Sequence, residues 1–130
     1  MVEALEDVSD TAPFRTCGAC RSRWSTPNEF LYDSELVLIG LQVAEHRPES
    51  NLLVFEHRCG TSVSLLTSRL REVLPDQGDD PGAADLFGSD RCQLLCRRLD
   101  EWAACDRPCV NARDRRLLRS VIGIKGLPRH

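Results

Sequence analysis

The chain has 130 residues, 42% of them hydrophobic, and carries a net charge of −3. One domain with a modest core fits that length, and four Phe, two Trp and one Tyr leave few rings to fill it. The weak net charge excludes a nucleic-acid signal from the molecule as a whole, and no apolar run approaches the roughly 18 residues that span a bilayer.

Residues 1–13 read as a disordered acidic tail, with Glu3, Glu6, Asp7 and Asp10 and no base. This opening lacks the basic-then-apolar pattern of a secretory leader, so the expected compartment is a reducing, bacterial cytoplasm. Residues 14–74 follow as a zinc-ribbon-like, β-rich part. "CGACRSRW" (17–24) is a tight turn, and 25–35 a loop with at most one helical turn. "LVLIGLQVA" (36–44) carries aliphatics on both faces and predicts a central strand. "LLVFEHR" (52–58) and "TSVSLL" (61–66) predict two more strands, which completes a small antiparallel meander. Residues 67–74 predict a helix capped by Thr67 or Ser68, with Leu70, Val73 and Leu74 on one face.

Pro, Gly and Asp dominate 75–89, a linker by composition. Residues 90–126 then predict a Cys-rich helical hairpin packed on the first part, within one compact domain. Its first helix aligns Cys92, Leu95, Cys96, Leu99, Trp102 and Ala103 in an i, i+3, i+4, i+7 stripe. Its second is capped by Asp106, with Pro108 in the first turn. Val110, Leu117, Leu118, Val121 and Ile122 face inward there, and Arg113, Arg115, Arg116 and Arg119 mostly outward. The fold class expected is therefore α+β.

Seven cysteines in a reducing compartment are poorly explained as disulfides, and an odd number cannot all pair. With His57 they fall into two sets of four. The first is Cys17-x2-Cys20 with His57-x-Cys59. A C-x2-C turn brings two sulfurs onto one ion, and Gly18 eases its bend. Residues two apart on a strand share a face, so His57 and Cys59 converge as well, and Gly60 lets the chain wrap the site. The second set is Cys92-x3-Cys96 with Cys105-x3-Cys109. Cysteines four apart share a helix face, but at about 100° per residue Cys105 falls some 220° round from Cys92, so a break between Trp102 and Asp106 is required.

Four N/S ligands per set suit tetrahedral zinc, two ions per chain. An iron–sulfur cluster is the alternative cofactor. For the second set, redox disulfides and buried core thiols are further alternatives. Gln42 either bonds backbone at a strand edge or orients His57 from behind. A thioredoxin-like reading of "CGAC" lacks the preceding buried strand, c-type haem needs a His where Arg21 stands, and the spacing of the second set is too short for twin-Cys-x3-Cys chaperones. A Cys–His hydrolase lacks an identifiable oxyanion motif or acidic orienter. Six Arg and Lys125 against two Asp in residues 106–130 make nucleic-acid contact through Arg113, Arg115, Arg116 and Arg119 conceivable, but without interleaved aromatics a solvated helix face is the stronger reading.

Cys17, Cys20, Trp24, Phe30, Leu31, Asp33, Leu38, Ile39, Gly40, Gln42, Phe55, His57, Cys59, Gly60 and Thr61 form the pattern C-x2-C…W…F-L-x-D…L-I-G-x-Q…F-x-H-x-C-G-T. In this the chain resembles an uncharacterised family of small bacterial Cys-rich proteins, over roughly residues 17–110. The resemblance implies one metal-dependent fold and no particular activity. The expected function is a non-catalytic zinc-binding module, an adaptor or regulatory subunit whose partner is another protein. The alternative is a redox-active or iron–sulfur sensor or electron-transfer protein.

Overall fold

The computed structural model describes residues 12–74, 84–105, 107 and 109–126. Most of the expected acidic tail, most of the 75–89 linker, and Asp106 and Pro108 lie outside them. Two short strands open the described chain, β1 (Arg15–Thr16) and β2 (Arg23–Trp24), paired antiparallel. Helix α1 (Pro27–Leu31) follows because Thr26 Oγ1 accepts the Glu29 amide at 3.1 Å and Pro27 sits where no N–H is needed. It turns Phe30 and Leu31 inward.

Strands β3 (Leu36–Gln42), β4 (Leu52–His57) and β5 (Ser62–Leu66) form an antiparallel meander in the order β3-β4-β5. Their alternation buries Leu36, Leu38, Leu53, Phe55, His57, Val63 and Leu65. A bulge between Leu38 and Gly40 shifts the phase by one, which is why Leu41 joins the buried set out of alternation. β3 is an edge strand and not the expected central one: β4, whose own pattern alternates cleanly, takes the middle. The second side of β3 is partly covered from outside the sheet, so its aliphatics on both faces misled.

Helix α2 (Thr67–Arg71) begins directly where β5 ends. The cap position is Leu66, with no side-chain cap bond. Thr67 and Ser68 do not cap because Thr67 is buried and donates its hydroxyl to Asp114 at 2.9 Å. Leu70 is buried as expected, but Val73 lies past the helix end and is exposed.

Helix α3 (Ala112–Lys125) packs Leu117, Leu118 and Val121 into one cluster with Trp24, Phe30, Leu36, Leu38, Leu41 and Phe55. Burying each such Leu contributes ~1.5–3 kcal/mol relative to exposure. Rings meet edge to face through that core, Phe14–Phe30 at 5.6 Å, Trp24–Phe30 at 5.2 Å and Phe30–Phe55 at 4.9 Å between centroids. The start of α3 is held by a buried polar knot. Asp114 pairs with Arg71 and accepts from Thr67 Oγ1 and Asn51 Nδ2. Asn51 also donates to Asn111 Oδ1 at 2.9 Å. A buried carboxylate is tolerable only when so satisfied.

The expected helical hairpin is not formed. Between Ala84 and Cys105 the chain is irregular, with one 3-10 turn at Leu95–Arg97. The final helix starts at Ala112, beyond the expected Asp106 cap, and its cap residue Asn111 makes no side-chain cap bond. Two contacts explain why the stripe from Cys92 to Ala103 does not coil. Arg115 takes carbonyls of that segment as acceptors, Ala103 O at 2.9 Å from Nε and Glu101 O at 2.9 Å from Nη2. Leu99 presses its carbonyl against β3, where a Cβ on Gly40 would stand 1.8 Å from it. Arg115, expected on the outer face, is therefore completely buried.

Candidate metal centre

The first ligand set sits on two hairpins. Cys17 to Ser22 link β1 and β2, and the turn is closed by Arg21 N to Cys17 O at 3.0 Å and Cys17 N to Ser22 O at 2.8 Å. Arg21 adopts a left-handed φ of 68° directly after Cys20. Opposite, β4 ends at His57, and Cys59 lies in the turn to β5 and not on the strand. His57 and Cys59 therefore converge through a tight turn, in place of the shared strand face expected. That turn is closed by Gly60 N to His57 O at 2.8 Å and His57 N to Thr61 O at 2.9 Å. Gly60 takes φ 94°, a conformation other residues rarely adopt.

These turns bring the ligand atoms of Cys17, Cys20, His57 and Cys59 within 4.8 Å of one another. Cys17 Sγ is 3.7 Å from Cys59 Sγ, and His57 Nδ1 is 3.5 Å from Cys20 Sγ and 3.3 Å from Cys59 Sγ. Zn–S near about 2.3 Å and Zn–N near about 2.05 Å set the edges of a tetrahedron at about 3.8 Å for S···S and about 3.6 Å for S···N. These three separations lie within a few tenths of an ångström of those edges. Cys17 and His57 are buried, and Cys20 and Cys59 face outward, so the centre has an inner and an outer half.

Local electrostatics favour thiolate on the first hairpin. Amide N–H groups of Cys20 and Ala19 turn toward the Cys17 sulfur and bring its pKa down to about 7, against the opposing effect of burial. Cys20 is lowered by the Ser22 hydroxyl, 3.2 Å away, and the Ser22 amide. Cys59 is raised: the Thr61 amide pulls it down, but burial and the thiols of Cys17 and Cys20 prevail. Three thiols forced together resist triple ionisation, a repulsion a divalent cation removes.

The imidazole of His57 is held from behind by Trp24, edge to face at 5.2 Å. Trp24 Nε1 in turn donates to Asp33 Oδ2 at 2.7 Å. Burial raises the Asp33 pKa, but the Trp24 indole, the Glu35 amide and the charges of His57 and Lys125 outweigh it, and the net shift is downward. Gln42 pairs with Leu52 at the far end of the β3–β4 ladder from the Leu36–His57 pair. It cannot orient His57.

The second set is arranged differently. Among the described residues, only the first set gathers three or more ligand atoms within 4.8 Å of one another. Cys92, Cys96, Cys105 and Cys109 instead line one small cavity. Cys109 is buried and the others are half-buried. Burial pushes the Cys96 thiol up to about 11; Arg115 opposes this, while Cys105, Cys109 and Cys92 add to it. Arg115, expected on the outward face as a possible nucleic-acid contact, is buried here. Its signal was present: the inward positions Leu118, Val121 and Ile122 extend back at helical spacing to Asp114 and Arg115, both buried.

No helix among the described residues is long and apolar enough to cross a membrane. No protein-family model matches the chain, no curated protein matches it, and no solved structure matches it. The site's own chemistry carries the functional reading.

Proposed function

We propose that the protein is a non-catalytic zinc module, an adaptor or regulatory subunit whose two hairpins are joined by one ion held by Cys17, Cys20, His57 and Cys59. One observation carries the reading: three sulfurs and one imidazole nitrogen from two hairpins roughly 40 residues apart gather within 4.8 Å of one another, with three of their separations close to the edges of a zinc tetrahedron. Four protein ligands fill the tetrahedral sphere and leave no position for substrate or water, which argues for structure over catalysis. A donor set of three thiolates and one imidazole favours zinc over an iron–sulfur cluster, whose usual ligands are four thiolates. The ion's binding free energy, ~10–16 kcal/mol apparent at such sites, becomes folding free energy for a domain this poor in aromatic rings.

Zinc analysis of the purified chain, with circular dichroism before and after a strong chelator, tests this. The reading expects bound zinc, a colourless protein, and loss of β-structure on chelation. A brown protein with visible absorption would establish the iron–sulfur reading instead, and a metal-free chain that keeps its fold would overturn both. The adaptor role predicts that a partner retained by the zinc-loaded chain is released on chelation.

A further inference from the structure

We propose that Cys92, Cys96, Cys105 and Cys109 bind a second divalent transition-metal ion, with zinc the fitting one, as a tetrathiolate centre whose negative charge is partly balanced by the buried Arg115. All four thiols line a cavity of about 10 Å³, the room that one water-sized sphere takes. Donors already aim at two of the sulfurs. The Leu94 amide points at Cys92 Sγ at 3.3 Å and the Leu86 amide at Cys109 Sγ at 3.4 Å. Asn111 Nδ2 also lies 3.8 Å from Cys109 Sγ. N–H groups directed at sulfur favour the thiolate, the form that ligates metal.

Arg115 supplies the second, independent observation. Its guanidinium is fully buried and, among the described residues, donates only to the carbonyls of Ala103, Glu101 and Leu95. Among the described residues no carboxylate lies within ion-pair distance of it. A buried cation without an anion is costly. A divalent ion on four thiolates carries two net negative charges, near Arg115, whose guanidinium bonds the Leu95 carbonyl next to Cys96 and whose charge the Cys96 thiol feels. On binding, the metal displaces the thiol protons to solvent, four sulfur–metal bonds form, and no electron is transferred. Side-chain rotation draws the sulfurs inward from the cavity wall to bonding distance, which the irregular segment permits and a straight helix would not.

Native mass spectrometry of the full chain, purified reduced with zinc, reads the stoichiometry. Two ions are expected in the unaltered chain and one in the double variant Cys96→Ser/Cys105→Ser. One ion in the unaltered chain, kept by that variant, would overturn the second centre and leave the first intact. Should the double variant fail to fold, cobalt loading of the unaltered chain decides. Seven thiolate–cobalt bonds over two ions are expected from the near-ultraviolet charge-transfer intensity; three over one ion would overturn the proposal. So would disulfides among the four cysteines in chain purified under reducing conditions.

Discussion

The two ligand sets use the same residue types and are built in opposite ways. Around Cys17, Cys20, His57 and Cys59 the backbone does the positioning. Two hairpin turns, each closed by main-chain hydrogen bonds and each holding one residue at positive φ, set the ligands at metal spacing. Around Cys92, Cys96, Cys105 and Cys109 the backbone is irregular, and a side chain, Arg115, gathers the carbonyls of the segment. A hairpin fixes its sulfurs before any ion arrives. A coil wrapped round a guanidinium brings its sulfurs to one cavity without setting them at metal spacing.

That contrast is open to breaking, beginning with the largest effect. Cys17→Ser removes the buried ligand of the first centre. The expected loss, up to ~10–16 kcal/mol, is comparable to the whole ~5–15 kcal/mol that holds an ordinary domain folded, so chemical denaturation should show no cooperative transition. Arg115→Met leaves three carbonyls without their donor and the second set without its cation. It should cost about 3 kcal/mol and abolish the second ion while the first is retained, read by metal content and thermal melting. Gly40→Ala collides with the Leu99 carbonyl. The segment must lift from β3, with a loss of ~1–3 kcal/mol and weaker binding of the second ion only.

Smaller changes sharpen the first centre. Trp24→Phe keeps a ring against His57 and loses the bond to Asp33, a cost of about 1 kcal/mol with zinc content unchanged. Acid acts through Cys17, whose pKa stands at about 7 against an ordinary 9.0. A lowered pKa contributes stability that is full above the ordinary value and is lost as pH falls through the folded one. Zinc competition with a chelator should therefore turn against the protein as pH drops through about 7, while on the alkaline side affinity should keep rising as Cys59, raised above 9.0, gives up its proton.

The sequence made the sheet legible because alternation reports a half-buried strand directly, and β3, β4 and β5 fall within two residues of their expected bounds. The partnership of Cys17, Cys20, His57 and Cys59 was legible too, since the C-x2-C and H-x-C spacings each specify a turn or strand end. What spacing could not convey was tertiary override. The stripe from Cys92 to Ala103 has helical period, yet its carbonyls are taken by Arg115 and its path is set by the close approach at Gly40. Neither contact has a local signature. An arginine within helical phase of Leu118 and Ile122 was the one available warning, and residue type argued against heeding it.

The most direct test of the first centre is a crystal map with anomalous signal at the zinc edge. The account predicts a peak bonded to Cys17 Sγ, Cys20 Sγ, His57 Nδ1 and Cys59 Sγ, with sulfur distances of about 2.3 Å. No peak between the two hairpins, with the His57 ring turned to solvent, would contradict it.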